Sequence, residues 1–177
     1  MNSPAGLRQE GKSFVLFVTN RWLGLDPSAG TSDFEPRFRE SLTQAGFATC
    51  HSFFYDEFYF NYRHRSDQAL LAFCQAEKPD LIVLNYVDNA EGLAPLEQTL
   101  GLLRKQGLPV VAVLPQTQNA QHPVSLQDIE PLADLLVLLG NQQSISGARN
   151  PQKCICLPAP GGLDTRQHFQ FWQAILE

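Results

Sequence analysis

The chain has 177 residues, of which 44% are hydrophobic and 18% charged, with thirteen basic against eighteen acidic side chains for a formal charge of -5. A chain of this size and mixture forms one domain that buries about 70% of the surface its unfolded form exposes. Disordered, collagen-like and coiled-coil classes are excluded, the acidic balance argues against a nucleic-acid partner, and no apolar run approaches the ~20 residues of a membrane span.

Residues 1–12 are polar, lack the apolar core of a signal peptide and read as a flexible leader, with a single domain over 13–177. Phe14 to Val18 is a continuous apolar run, the signature of a strand buried on both faces, as in a parallel sheet. A loop carrying Gly24, Pro27 and Gly30 follows. A helix then carries Phe34, Phe38, Leu42 and Ala45 and ends at Gly46. Its start is ambiguous: Ser32 and Glu35 have capping-box spacing, whereas Pro36 favours the first helical position and would make Glu35 the cap.

Phe47 to Phe54 reads as the second strand. A helix capped by Ser66 or Asp67 carries Leu70, Leu71, Phe73 and Cys74 and stops before Lys78-Pro79. Asp80 to Tyr86 is a third strand. A helix from about Pro95 to Gln106 precedes Gly107, and Leu108 to Leu114 forms the fourth strand, closed by Pro115. A polar loop over 116–125 and a short helix around Ser125 to Pro131 lead to a fifth strand, Asp134 to Leu139. Lys153 to Leu157 makes a sixth, and after the break at Pro158 to Gly162 a last helix runs from Thr165 to Leu176. Apolar strands alternating with helices define the α/β class: a three-layer Rossmann-like domain with a five- to six-stranded parallel sheet. Right-handed crossovers restrict the topology, and the order 3-2-1-4-5 is expected.

Cys50 and Cys74 stand alone, and Cys154 and Cys156 are two apart. Without a Cys-x-x-Cys or a partnered histidine, no metal site is expected. The four read as reduced thiols of a cytoplasmic protein.

Several segments resemble the N-terminal, acceptor-side domain of GT-B glycosyltransferases. Val15 to Asn20 followed by a glycine-bearing loop, with Arg37 through Ala45-Gly46-Phe47, is similar to that family's opening strand, loop and helix. Lys78-Pro79-Asp80-Leu81-Ile82, Gly107-Leu108-Pro109-Val110-Val111 and Ala133-Asp134-Leu135 are similar to its strand lead-ins. Leu157-Pro158 through Gly161, with Leu163-Asp164 and Phe169, resembles the passage into its second domain. The likeness runs over roughly residues 13–170. It implies a carbohydrate-related function. The family's nucleotide-sugar donor sits mainly on a second domain, whose donor motif and diphosphate-holding residues have no counterpart here. The resemblance therefore implies an isolated acceptor domain, one subunit of a split transferase, or a domain that kept the fold and lost the reaction, each needing a second domain or subunit for turnover.

In an open α/β sheet, ligands bind beyond the carboxyl ends of the strands where the strand order reverses. The expected order places that crevice between the loops after the first and fourth strands. Candidate ligand-binding residues are Asn20, Arg21, Gly24, Gly30, Thr31 and Ser32 on one rim, and Asn85, Tyr86 and Gln116 on the other. Backbone amides with Arg21 suit an anion, and amides with a tyrosine suit a hydroxyl-rich ligand. Asp88 and His122 are candidate bases toward an acceptor hydroxyl. The same residues also suit ordinary turns and a solvated loop surface. No phosphate loop for a flavin or nucleotide is present, and no cofactor is expected.

Seven aromatics fall between residues 53 and 62, followed by Arg63, His64 and Arg65. Phe54, Tyr55, Phe58, Tyr59, Phe60 and Tyr62 with Arg63 have the composition of an interface, including one between copies of the chain. A satellite core under a loop accounts for them equally. The interface reading supplies the other class of function, a non-catalytic receiver-like or scaffold module. Thr19-Asn20 and Asn85 stand where a phosphorylatable receiver needs acidic residues.

Overall fold

The computed structural model describes residues 12–19, 48–54, 66–85, 90–115, 126–139 and 148–157, with Arg166 and Gln170. Within them lie strands β1 (Ser13–Thr19), β2 (Ala48–Phe54), β3 (Leu81–Asn85), β4 (Val110–Pro115), β5 (Leu135–Leu139) and β6 (Cys154–Leu157). Three helices alternate with them: α1 (Ser66–Glu77), α2 (Ala90–Lys105) and the short α3 (Leu126–Ile129), which continues as a 3-10 turn over Glu130–Leu132. The six strands form one sheet in the order β2-β1-β3-β4-β5-β6, and every neighbouring pair is parallel. The domain is Rossmann-like, as the apolar runs require.

The expected 3-2-1-4-5 order is corrected at one point. The third strand lies against β1, with Val15 opposite Leu81 and Phe17 opposite Val83, and β2 takes the outer edge. A clasp at the start of β3 fixes this choice. Phe14 donates its N–H to the Asp80 carboxylate at 2.8 Å, and Asp80 returns its own N–H to the Phe14 carbonyl at 2.8 Å. The device recurs two strands away. Val110 donates to the Asp134 carboxylate at 2.9 Å, and the Asp134 N–H reaches the Val110 carbonyl at 2.7 Å. Each aspartate sits just before its strand and satisfies an amide at the start of a neighbouring one, the second of β1 and the first of β4, which would otherwise be left unpaired beside the core.

Both faces of the sheet are buried. Leu16, Val18, Phe53, Ile82, Leu84, Val110, Ala112, Leu136 and Leu138 share one cluster with Leu70 and Cys74 of α1, Leu96, Leu100 and Leu103 of α2, and Ile129 and Leu132. Steps from β2 to β3, β3 to β4 and β4 to β5 all run the same way across the sheet. Right-handed crossovers therefore place all three described helices on this face. On the opposite face Val15, Phe17, Leu81, Val83, Val111, Val113 and Val137 are at most 4% exposed. That double burial makes three layers.

The helix ends explain two boundaries. Gly107 (φ +87°) closes α2 in the left-handed region. Leu108 donates to the Leu103 carbonyl at 3.1 Å and Gly107 to that of Arg104 at 2.9 Å, which is the Schellman pair of bonds, with Leu108 and Leu103 both packed on the core. Leu108 and Pro109 thus belong to the helix cap, and β4 starts at Val110 rather than at Leu108. Helix α1 ends on Lys78 (φ 49°), whose N–H reaches the Cys74 carbonyl at 2.9 Å. The next residue is Pro79, which has no N–H for the second Schellman bond, so the single-bond form of the cap is all that remains. Helix α2 begins at Ala90, not Pro95. Pro95 lies inside it and forgoes one amide bond.

These two caps predict opposite effects. Gly107→Ala meets no neighbouring atom within 4 Å, so its cost is backbone strain alone, about 1–2 kcal/mol. Lys78→Gly relieves the same strain and gains about 0.5–1 kcal/mol after the extra freedom of the unfolded glycine is subtracted. Urea denaturation of the two variants reads both signs.

The predicted helices over 34–46 and 165–176 lie outside the described residues, apart from Arg166 and Gln170, which are helical. Among the described residues no helix is long and apolar enough to cross a membrane.

Candidate functional site

The strand order fixes the switch point. From β1 the chain steps to β2 on one side, and every later strand lies on the other side, so the order reverses between β1 and β3. At the carboxyl ends of these two strands Thr19 pairs with Asn85, and on the other flank Thr19 pairs with Phe54 of β2. Phe54, Thr19 and Asn85 thus form one row across the rim.

The switch point expected between the first and fourth strands is therefore corrected to one between β1 and β3. Asn85, the last residue of β3, stands directly at this rim, and Phe54 flanks it from the edge strand. Asn20, Arg21, Gly24, Gly30, Thr31, Ser32, Tyr86, Asp88, Gln116 and His122 lie outside the described residues. So do Tyr55, Phe58, Tyr59, Phe60, Tyr62 and Arg63 of the aromatic segment. By chain order, Tyr86 and Asp88 immediately follow the switch-point strand, whereas Gln116 and His122 follow β4, one strand further away.

The amino edge of the sheet is built differently, for stability. Asp134 receives Arg104 Nε at 2.9 Å and a second guanidinium nitrogen at 2.6 Å, while Arg104 also reaches the Pro131 carbonyl at 2.7 Å. The end of α2 is thereby tied to the start of β5. Burial pulls the Asp134 carboxyl upward, but hydrogen bonds from Arg104 and the Val110 amide, with the charges of Arg104 and Lys153, hold it below the usual carboxylate range.

Glu130 is a polar residue that sequence reasoning missed. It is 8% exposed, and its carboxylate accepts the consecutive N–H groups of Arg149 at 2.9 Å and Asn150 at 2.5 Å. Asn150 then caps the turn Pro151–Lys153 by accepting the Gln152 N–H at 3.2 Å. A buried carboxylate thus sets the turn that launches β6. Only the sequence Asn150-Pro151, a cap followed by proline, signals that turn locally; the contact from Glu130 comes from twenty residues away.

On β2, His51 stacks on Phe73 of α1 with ring centroids 5.3 Å apart, and Phe53 meets the same ring edge-on at 5.8 Å. These contacts hold the edge strand beside the rim.

The cysteines divide by burial. Cys50, Cys154 and Cys156 are partly exposed, and Cys74 is buried. Burial pushes the Cys74 thiol up to about 12. From about pH 9 to 12 the unfolded thiol loses its proton while the folded one keeps it. Stability therefore falls with rising pH, by up to about 1.4 kcal/mol per unit, and is unaffected by this group at lower pH. Urea denaturation at about pH 8 and about pH 10 is expected to show the decline in the native chain and a shallower one in Cys74→Ala. The Cys154 thiol is also raised, by burial first and then by the nearby Glu130 and Cys156. Among the described residues no group of three or more histidine, cysteine or acidic side chains is placed to hold a metal ion.

No family model and no curated protein sequence matches the chain. Among solved structures, a chitinase from Chromobacterium violaceum ATCC 12472 is similar with a TM-score of 0.43 and 10% identity, over 81% of this chain and 67% of that one. A likeness this distant bears on neither family nor substrate.

Proposed function

We propose that this chain is a carbohydrate-related Rossmann-like domain of the kind that forms the acceptor-side half of a GT-B glycosyltransferase. It binds a hydroxyl-rich ligand beyond β1 and β3 and depends on a second domain or subunit for turnover. The observation that carries the reading is the reversal of strand order between β1 and β3, with Thr19 and Asn85 paired at its carboxyl end. The sequence around that rim suits such a ligand. Asn85 and Tyr86 offer amide and phenol groups for sugar hydroxyls. Asp88, three residues past the end of β3, is the nearer candidate for the base that an acceptor hydroxyl requires. Arg21 and the amides after β1 are suited to a phosphate. The stretches that resemble the GT-B family support the reading less, because Asp80 and Asp134 within them serve as strand clasps.

Thermal denaturation of the purified chain against a panel of glycans and nucleotide-sugars tests this. A true ligand at 100 times its dissociation constant adds about 2.7 kcal/mol, and Asn85→Ala is expected to remove that gain. A panel without any response contradicts the proposal. If the chain also proves dimeric and Tyr59→Ser with Phe60→Ser abolishes the dimer, the interaction-module reading takes its place.

A further inference from the structure

We propose that Cys154 and Cys156 form a two-thiolate site for a soft monovalent cation of the copper(I) class. The argument begins with strand geometry. Residues two apart on a strand point to the same face, and β6 holds both cysteines in register with β5, Cys154 opposite Leu136 and Cys156 opposite Leu138. Leu136 and Leu138 belong to the helix-covered cluster, and both cysteines pack against its margin. The two thiols therefore share one face of the last strand in the row, and both are partly exposed.

Their spacing selects the metal. Neighbours two apart on a strand have Cα atoms about 6.7 Å apart, and two metal–sulfur bonds of about 2.3 Å in line span about 4.6 Å. Each sulfur leans inward by about 1 Å to close the difference, which a rotation about the Cα–Cβ bond supplies. Zinc requires four ligands, and among the described residues no set of three is available. Soft thiolates with only two ligands instead suit copper(I). Glu130 lies close enough to act on Cys154 electrostatically, but its carboxylate is engaged by the Arg149 and Asn150 amides, so it contributes negative charge and not a ligand bond. Binding forms two sulfur–metal bonds and releases the two thiol protons to solvent, with no change of oxidation state.

The test is an anaerobic titration of the reduced full chain with copper(I) held by bicinchoninate. The native chain is expected to withdraw one equivalent per molecule. Cys154→Ser and Cys156→Ser are each expected to lose it, and Cys50→Ser, five strand spacings or about 24 Å away, is expected to keep it. Circular dichroism of the serine variants checks that they remain folded, and the native chain alone gives a second readout: copper(I) retained on gel filtration, zinc(II) not. Failure to compete with bicinchoninate, retention by either serine variant, or one copper shared between two chains overturns the proposal.

Discussion

Phe17→Ala is expected to lower stability by about 3–5 kcal/mol. Phe17 lies in β1, one strand in from the β2 edge, is completely buried, and points to the face opposite the described helices. Truncation leaves a ring-sized cavity between β1 and its neighbours, and a β-strand held on both sides collapses poorly into such a space. Domains of this kind have about 5–15 kcal/mol in all, so the loss takes a large part of it. Urea denaturation should show a lower midpoint with an unchanged slope. A cost below about 1 kcal/mol, the usual range for an exposed site, would mean that this face is open and the domain has two layers.

The second large effect concerns the clasps. Asp80→Ala leaves the Phe14 amide without its acceptor, and Asp134→Ala does the same to Val110 while also removing the ion pair with Arg104. Stranding one such donor costs about 1–3 kcal/mol. The two sites are two strand spacings apart, about 9.6 Å, so the double variant should lose close to the sum. The Asp134 share also depends on pH. Its folded carboxyl ionises below the ordinary range, so the contribution is complete above the unfolded value of about 3.9 and disappears as the pH falls through the lower folded one. Acid titration of Asp134→Asn should therefore be flatter than that of the native chain.

Those aspartates also show what a sequence reveals. Lys78-Pro79-Asp80 and Ala133-Asp134 stand out as recurrent words and resemble a family, yet their geometry is that of a fold device any parallel sheet can use. The apolar runs of β1 and β3 were legible because burial on both faces leaves no polar position to confuse the period. The second neighbour of β1 was not. β2 lies beside β1 as expected, but whether β3 or β4 takes the other side depends on contacts between residues more than sixty positions apart, such as Phe14 with Asp80, and no local pattern encodes that. Pro95 misled for a related reason: its preference for a first helical turn is a local rule, and the helix starts at Ala90 regardless. Glu130 was invisible for the same cause, since an exposed-type residue is buried by amides that arrive from a distant turn. At the site, Asn85 was legible as the polar residue ending an apolar run, whereas its place beside Thr19 required the strand order.

The most direct measurement is amide mapping by nuclear magnetic resonance of the nitrogen-15-labelled chain, titrated with whichever glycan or nucleotide-sugar stabilises it. Shifts concentrated at Thr19, Asn85 and the residues that follow each of them are expected, with Asp80, Asp134 and β6 left unmoved. Shifts concentrated at the amino edge, or along β6 alone, would contradict a binding site at the β1–β3 crevice.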